Sequence, residues 1–522
     1  MSRLVPVLLA TACMVLLPWF GASLDAQPRA DQRSGTPVGQ VTWALHVTIT
    51  PAWLDPADHT AGITAMIPFY AIHDALVKPM PGHPMAPSLA ESWTVSRDGL
   101  VYEFVLRRNV RFQNGDPVTA DDVKFSFERY RGVAAKILRE RVAAVEIVDP
   151  DRVRFRLKEP WPDFLTFYAT PATGAAWIVP RKYVEKVGDE GYKKAPIGAG
   201  PYRLVAFNPG VDLVLEAYEG YWRKTPAVKR LVLRVVPDES TRLAMLKRGE
   251  VDIAYALRGP LAEEVRRTPG LKLAPTTTAG VFWVDFTAEQ WDPKSPWHDL
   301  RVRQAASLAI DRRAISQATT LGFSKVSASI IPSAFDFAWP APPIPFDPDR
   351  AKQLLAEAGY PGGFDAGDYN CDSSFTDLAE AVVNNLKSVG IRARLRPLER
   401  AAFLTQWREK KLRHLMQGSD GVFGNAATRI ERNLVSRGAY AFGSYPEIDD
   451  LFSQQAREPD RKKREALLHQ IQKIAYDRAM FAPIWEFAQL QAVGPRVEEA
   501  GLGLIELMPF SAPYEDVRLK GR

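Results

Sequence analysis

Between Leu89 and Tyr130 the chain reads LAESWTVSRDGLVYEFVLRRNVRFQNGDPVTADDVKFSFERY, and this stretch leaves little choice of local structure. From Tyr102 to Arg107, Tyr102, Phe104 and Leu106 alternate with Glu103, Val105 and Arg107, the period-two pattern of a half-buried strand that Val110 and Phe112 continue. Gln113 to Pro117 supplies a turn, because Asn and Gly accept positive φ and Pro cannot extend a ladder. Thr119 with Asp122 three residues later has the spacing of a capping box, and Val123, Phe127 and Tyr130 then share one helix face. The block is a strand, a turn and a capped helix, and none of its residues is chemically reactive.

The same alternation recurs along the chain. Val145 to Leu157 reads as a hairpin about Asp149-Pro150-Asp151, with Arg152, Arg154 and Arg156 on its wet face. Strands at Tyr202 to Phe207, Val211 to Ala217 and Leu231 to Val235 precede a helix over Ser240 to Arg248 and a further strand at Val251 to Ala254. Another helix is bounded by Asp347 as cap, Pro348 in the first turn and Gly359 as stop. Strands interleaved with helices predict an α/β protein. At 522 residues the chain exceeds one ordinary core and should divide into two or three domains, and 46% hydrophobic with 25% charged residues is a globular composition.

The beginning reads differently. Arg3 precedes an apolar run from Leu4 to Phe20, interrupted by Pro6 and Pro18 and followed by Gly21, Ala22, Ser23 and Ala26, the pattern of a secretory leader cleaved near Ala26 and Gln27. Cys13 does not have the spacing of a lipoprotein site; it would leave with the leader, so Cys371 has no internal disulfide partner. Residues 28–37 are polar and rich in Gly and Pro, as in a disordered linker. The net charge of +6 is dispersed among acids and not gathered into a stripe, which argues against a nucleic-acid partner.

Catalytic chemistry is not indicated. The chain has no HExxH, CxxC, GxSxG or Walker lysine, and its seven histidines include no pair spaced to share a helix face, so neither a metal centre nor a cofactor is expected. Pro196 to Tyr202, PIGAGPY, lacks the third glycine of a dinucleotide fingerprint.

LAESW, the S-x-DG-x-x-Y-x-F-x-LR run, the V-x-F-x-NGDP turn and T-A-DDV-x-FSF occur here in order; PIGAGPY and VRQAASLAIDR follow at Pro196 and Val302. Together they resemble the family-5 extracellular solute-binding proteins, the peptide, nickel and dipeptide receptors of bacterial ABC importers. The resemblance implies a two-lobed α/β periplasmic binding protein fold with mixed sheets flanked by helices, one of them over Ser295 to Ile315. It places the leader at 1–26, a linker at 27–37, lobe one at 38–78, an inserted subdomain at 79–195, lobe one again at 196–287, lobe two at 288–487 and a return to lobe one at 488–522. It also implies a monomeric, non-catalytic receptor in the periplasm. Such a receptor captures a small solute, peptide or peptide-like, and delivers it to ABC permease subunits served by separate ATPase subunits. The alternatives are a nickel or haem receptor of the same fold and a secreted hydrolase.

In the resembled receptors the loop after the first strand borders the ligand cleft, which points here to His46 and Trp53. A later loop supplies an aspartate for a peptide's amine, and Gly418, Ser419 and Asp420 occupy the matching run. That run lacks the family's tryptophan, and GNAAT replaces its D-P-x-x-F, so a cation, a modified peptide or an opine-like molecule is as admissible as an ordinary peptide. If the ligand is cationic, Asp420 is its expected partner. Crossovers near Phe286 and Trp485 should join the lobes, with Trp283 and Trp485 at the hinge.

Overall fold

The computed structural model describes residues 35–59, 66–169, 173–421, 424–510 and 513–521. The expected leader, Cys13 and most of the expected linker lie outside them. Gly35–Arg522 forms one compact unit. Its centre is a mixed eleven-stranded sheet.

Val38–Leu45 lies between Val228–Val235 and Ile253–Leu257 and runs parallel to both. Phe364–Asp372 lies between Ile391–Leu398 and Leu415–Asp420, again parallel to both. The sheet therefore contains two doubly wound halves, one per lobe. Two long antiparallel strands, Lys272–Asp285 and Phe481–Val493, run through both halves and fuse them. Their ladder keeps register except between Thr277 and Val281, opposite Glu486 to Ala488, and again at Phe282 and Trp283. Phe286, near the expected crossover, is buried just past the strand end, its ring stacked 5.0 Å from Trp297.

A separate four-stranded antiparallel sheet, ordered Ala90–Val95, Val101–Leu106, Arg152–Leu157, Val142–Asp149, packs its own aromatic core around Phe104, Phe155, Phe164 and Tyr168. Tyr102, Phe104 and Leu106 face inward as their alternation requires. The strand ends at Leu106, because Asn109 takes φ 64° and turns the chain; Val110 and Phe112 stay buried without extending the ladder. In the helix Ala120–Arg129 the Asp122 carboxylate accepts from the Thr119 backbone N–H at 2.9 Å, the back half of the expected box, and from Arg181 N at 2.9 Å.

Two expected helices differ. Ser295 to Ile315 divides into Leu300–Leu308 and Arg312–Thr320, because Asp311 leaves helical geometry to cap the second, accepting from Ala314 N at 2.9 Å. The sequence from Ile67 to Val77 also predicts a helix; the helix ends at Ile72, and Asp74–Ala75 pairs with Trp177–Ile178. Pro348–Glu357 follows its signals closely: Asp347 accepts from Arg350 N at 2.9 Å, and Gly359, at φ 93°, ends it. Among the described residues no helix is long and apolar enough to cross a membrane.

Candidate functional site

In open α/β sheets the crevice beyond the carboxyl ends of parallel strands, where strand order reverses, is a natural ligand position. This chain has two such points. The first follows Leu45, flanked by the ends of Val228–Val235 and Ile253–Leu257. The second follows Asp372, flanked by Leu398 and Asp420.

Arg258, immediately after the strand Ile253–Leu257, joins the two. Its Nη1 lies 2.8 and 2.9 Å from the two Asp377 carboxylate oxygens, its Nη2 donates to the Ser374 carbonyl, and its guanidinium sits 5.7 Å from the Phe375 ring centroid. Because Arg258 belongs to the first lobe and the other three residues to the second, the two crevices face each other as one.

His46 lies at the first switch point, its ring stacked 5.8 Å from Phe510, and its Nδ1 is buried with no hydrogen-bond partner among the described residues. Burial, then the positive charges of Arg242, Arg400 and Arg258, lower its pKa to about 4, so the imidazole is neutral at physiological pH. Arg242 is buried and donates to the carbonyls of Tyr255, Val236, Pro237 and Ala256 at 2.6 to 2.9 Å, tying the two flanking strand ends together. It pulls on a strained backbone, since Ala256 holds φ 52°, a left-handed geometry costly for a residue with a Cβ. Arg400, just past Leu398, reaches Asp372 at 2.5 Å. Three guanidiniums from both lobes thus raise the potential at His46.

An aromatic cluster lies beside Arg258. Phe282 of one long strand and Phe487 of the other meet Phe375, with ring centroids 4.8, 5.6 and 6.0 Å apart. The Gln417 Nε2 reaches the Phe375 carbonyl at 3.5 Å, and its Oε1 is buried with no hydrogen-bond partner among the described residues. Cation, amide and ring faces converge here, a combination suited to a small molecule with an anionic group and an apolar part.

A second set of contacts joins the inserted subdomain to the second lobe. Asp163 accepts from Asn425 Nδ2 at 2.6 Å and pairs with Arg464, while Arg141 lies 3.6 Å from Glu431. Asp163 and Arg464 are both buried, so this clasp is not a loose surface pair.

The seven residues singled out from sequence are distributed unevenly. His46 is at the crevice. Trp53, in the short turn Pro51–Leu54, packs half-buried against the first lobe's core. Strand pairing sets Ser419 opposite Phe282 and Phe282 opposite Trp485, so these three share the face that carries Phe375. Trp283, Gly418 and Asp420 are on the other face. Trp283 is fully buried against Trp407 and Phe481, and a Cβ added at Gly418 would lie 2.3 Å from its indole, which accounts for the glycine by packing. Asp420 is buried and already compensated: its Oδ2 lies 3.3 Å from Arg429 Nε, 3.1 Å from Arg432 Nε and 3.0 Å from Asn433 Nδ2. Arg242, Arg258, Arg400, Phe375, Gln417 and Phe487 were not singled out, although a position just after a parallel strand is a legible signal for Arg258 and Arg400. Among the described residues no group of three or more His, Cys, Asp or Glu side chains is placed to hold a metal ion.

Comparison with known proteins places the chain in a family. Residues 84–440 match the bacterial extracellular solute-binding proteins, family 5 middle region. The glutathione-binding protein GsiB of Salmonella choleraesuis is 29% identical over 415 residues, covering 76% of this chain and 79% of that protein. NikA from Brucella suis, solved with Fe(III)-EDTA, superposes with a TM-score of 0.79 at 21% identity over 92% of this chain and 100% of that one. AgaA from A. tumefaciens R10, solved with agropinic acid, gives 0.74 at 22% identity over 93% and 99%. Two doubly wound lobes fused by two long strands, with a crevice between facing strand ends, are what a protein that closes on a solute requires, and the chain belongs to the family-5 bacterial extracellular solute-binding proteins, the substrate-binding components of ABC importers.

Proposed function

We propose that this chain is the receptor for a small acidic solute of peptide or opine type, held with its anionic group near His46, Arg258 and Arg400 and its apolar part on Phe282, Phe375 and Phe487. The observation that carries this reading is that Arg242, Arg258 and Arg400, from both lobes, act electrostatically on His46, whose Nδ1 is buried with no hydrogen-bond partner among the described residues; Arg258 and Arg400 are paired with Asp377 and Asp372, and a bound anion would compete for them. Asp420, the expected partner of a cation, spends its charge on Arg429 and Arg432. The relative that binds glutathione and the fold neighbour solved with agropinic acid both take small acid-bearing molecules, which supports the same class. In this reading the chain is exported by residues 1–26, acts as a monomer without turnover, and opens and closes about the register break at Thr277 to Val281.

The test begins with mass spectrometry of small molecules released by denaturing the purified protein, followed by calorimetric titration of the compound found. A charge-assisted hydrogen bond contributes about 1.5 to 3 kcal/mol, so Arg258→Ala or Arg400→Ala should weaken binding by roughly 10- to 150-fold. Asp377→Asn, which removes the bridge between lobes but keeps the cation, should cost less. A neutral or cationic ligand, or unchanged affinity in both arginine variants, contradicts the proposal.

A further inference from the structure

A cavity of about 320 Å³ lies wholly within the second lobe and shares no residue with the crevice. Helix Leu300–Leu308 and helix Arg461–Asp477 form its sides, and Phe481 and Pro483 of the long strand its base. Its roof is residues 327–347, a segment without helix or strand that carries Pro332, Pro340, Pro342, Pro343 and Pro345. Unstructured connections of that length inside a compact domain are uncommon and usually serve a site. The roof is fastened: Gln472 donates to Phe337 O and accepts from Trp339 N, both at 2.8 Å, and Asp347 N donates to Leu308 O at 2.9 Å.

Leu308, Ile330, Ile331, Trp339 and Leu434 make most of the lining apolar. Protein interiors otherwise close around apolar side chains, and this volume falls within the range of small-molecule pockets, about 300 to 1,000 Å³. One end is polar, where Ser307 and Tyr476 both come near Arg312, and Trp339 holds the Tyr476 ring edge-on at 5.6 Å.

Behind that end is a buried cation. The Arg312 guanidinium donates to Pro483 O at 2.7 Å, Ser307 O at 2.9 Å, Ile310 O at 3.2 Å and Ser307 Oγ at 2.9 Å, so two of the residues it grips are cavity walls. Among the described residues it forms no ion pair, and burial lowers its pKa to about 10. A buried charge compensated by carbonyl and hydroxyl dipoles, with no carboxylate paired to it among the described residues, favours an anion nearby.

We propose that this cavity binds a small apolar acid of the fatty- or aryl-carboxylate class, its hydrocarbon against Leu308, Ile330, Ile331 and Trp339 and its carboxylate at Ser307 and Tyr476, in the field of Arg312. The site is independent of the crevice reading.

The test is calorimetric titration of the whole exported chain with octanoate and with octan-1-ol. Octanoate should bind at one saturable site, at least tenfold more tightly than the alcohol. Ala475→Phe fills the cavity from the helix and Ala341→Phe fills it from the roof; each should weaken octanoate at least tenfold while leaving affinity for the crevice ligand unchanged. Should Ala475→Phe fail to fold, Ala341→Phe, on the segment without regular structure, carries the same comparison. Tyr476→Phe should weaken octanoate about tenfold and leave octan-1-ol unaffected. The proposal is overturned by the absence of saturable octanoate binding, by equal affinity for the alcohol, or by binding that survives both phenylalanine substitutions. Loss of octanoate binding in Arg258→Ala overturns it too, because that places the probe in the crevice.

Discussion

Replacing Asp420 by asparagine removes a carboxylate that faces both Arg429 and Arg432. The site is dry: Arg429 is 1% exposed and Asp420 5%. Asn433 can still donate to the new amide oxygen, so the loss is the charge. Breaking a buried pair from one side costs about 3 to 5 kcal/mol, because the remaining cation loses a counter-charge in low dielectric. Unfolding entropy near 60 °C is roughly 2.1 cal/mol/K per residue, so a body of this length gains about 1 kcal/mol per kelvin on melting, and Asp420→Asn should lower Tm by about 3 to 5 °C. Arg429 also donates to Ile330 O at 3.0 Å and Ala279 O at 3.2 Å, so its displacement would disturb the wall beneath the long strands. Differential scanning calorimetry of the unliganded protein reads the shift, and titration of the crevice ligand reads affinity beside it. A variant with unchanged Tm and affinity reduced by one or two decades would show that the carboxylate serves the ligand, and the internal ion-pair reasoning would be refuted.

Asp285, fully buried, has its pKa raised to about 6, chiefly by burial. The folded state then binds the proton more tightly than the unfolded one, so this group's contribution is fully present below about pH 4 and is lost as pH rises to about 6. Asp285→Asn should remove that decline, giving a Tm that is flatter from pH 4 to 7 and higher than wild type at pH 7; a parallel curve would contradict the assignment. Gly418→Ala sets a methyl into the Trp283 indole and should destabilise by about 1 to 3 kcal/mol, measured by urea denaturation, and an unchanged midpoint would mean that the strand has room. Asp163→Asn loosens the clasp to Arg464 and Asn425, so small-angle scattering of the liganded protein should show a larger radius of gyration and titration a weaker Kd; no change in either would make the clasp a bystander.

Much of the local structure is written in neighbouring residues. Tyr102, Phe104 and Leu106 fix one strand's buried face, and Asp347, Pro348 and Gly359 fix one helix's ends, because side-chain alternation and capping are settled within a few residues. The ordered run of family motifs carries the two-lobed fold on the same footing. Two readings failed for a local reason that sequence spacing does not display: Asp311 chose to cap rather than continue a helix, and Asn109 turned a strand that apolar spacing would have extended.

The crevice belongs to tertiary structure. Arg258 and Asp377 are 119 residues apart, and Asp163 and Arg464 are 301 apart, so nothing in either neighbourhood announces the other. Asp420 is the nearer case. Its partners are only 9 to 13 residues away, on a helix that folds back over the strand end, and whether a carboxylate meets a ligand or an arginine there depends on how that helix docks. Strand parity decided the rest: Ser419 and Trp485 share the Phe282 face while Trp283, Gly418 and Asp420 take the other, because successive residues of a strand point to opposite sides and only the ladder says which side meets the crevice.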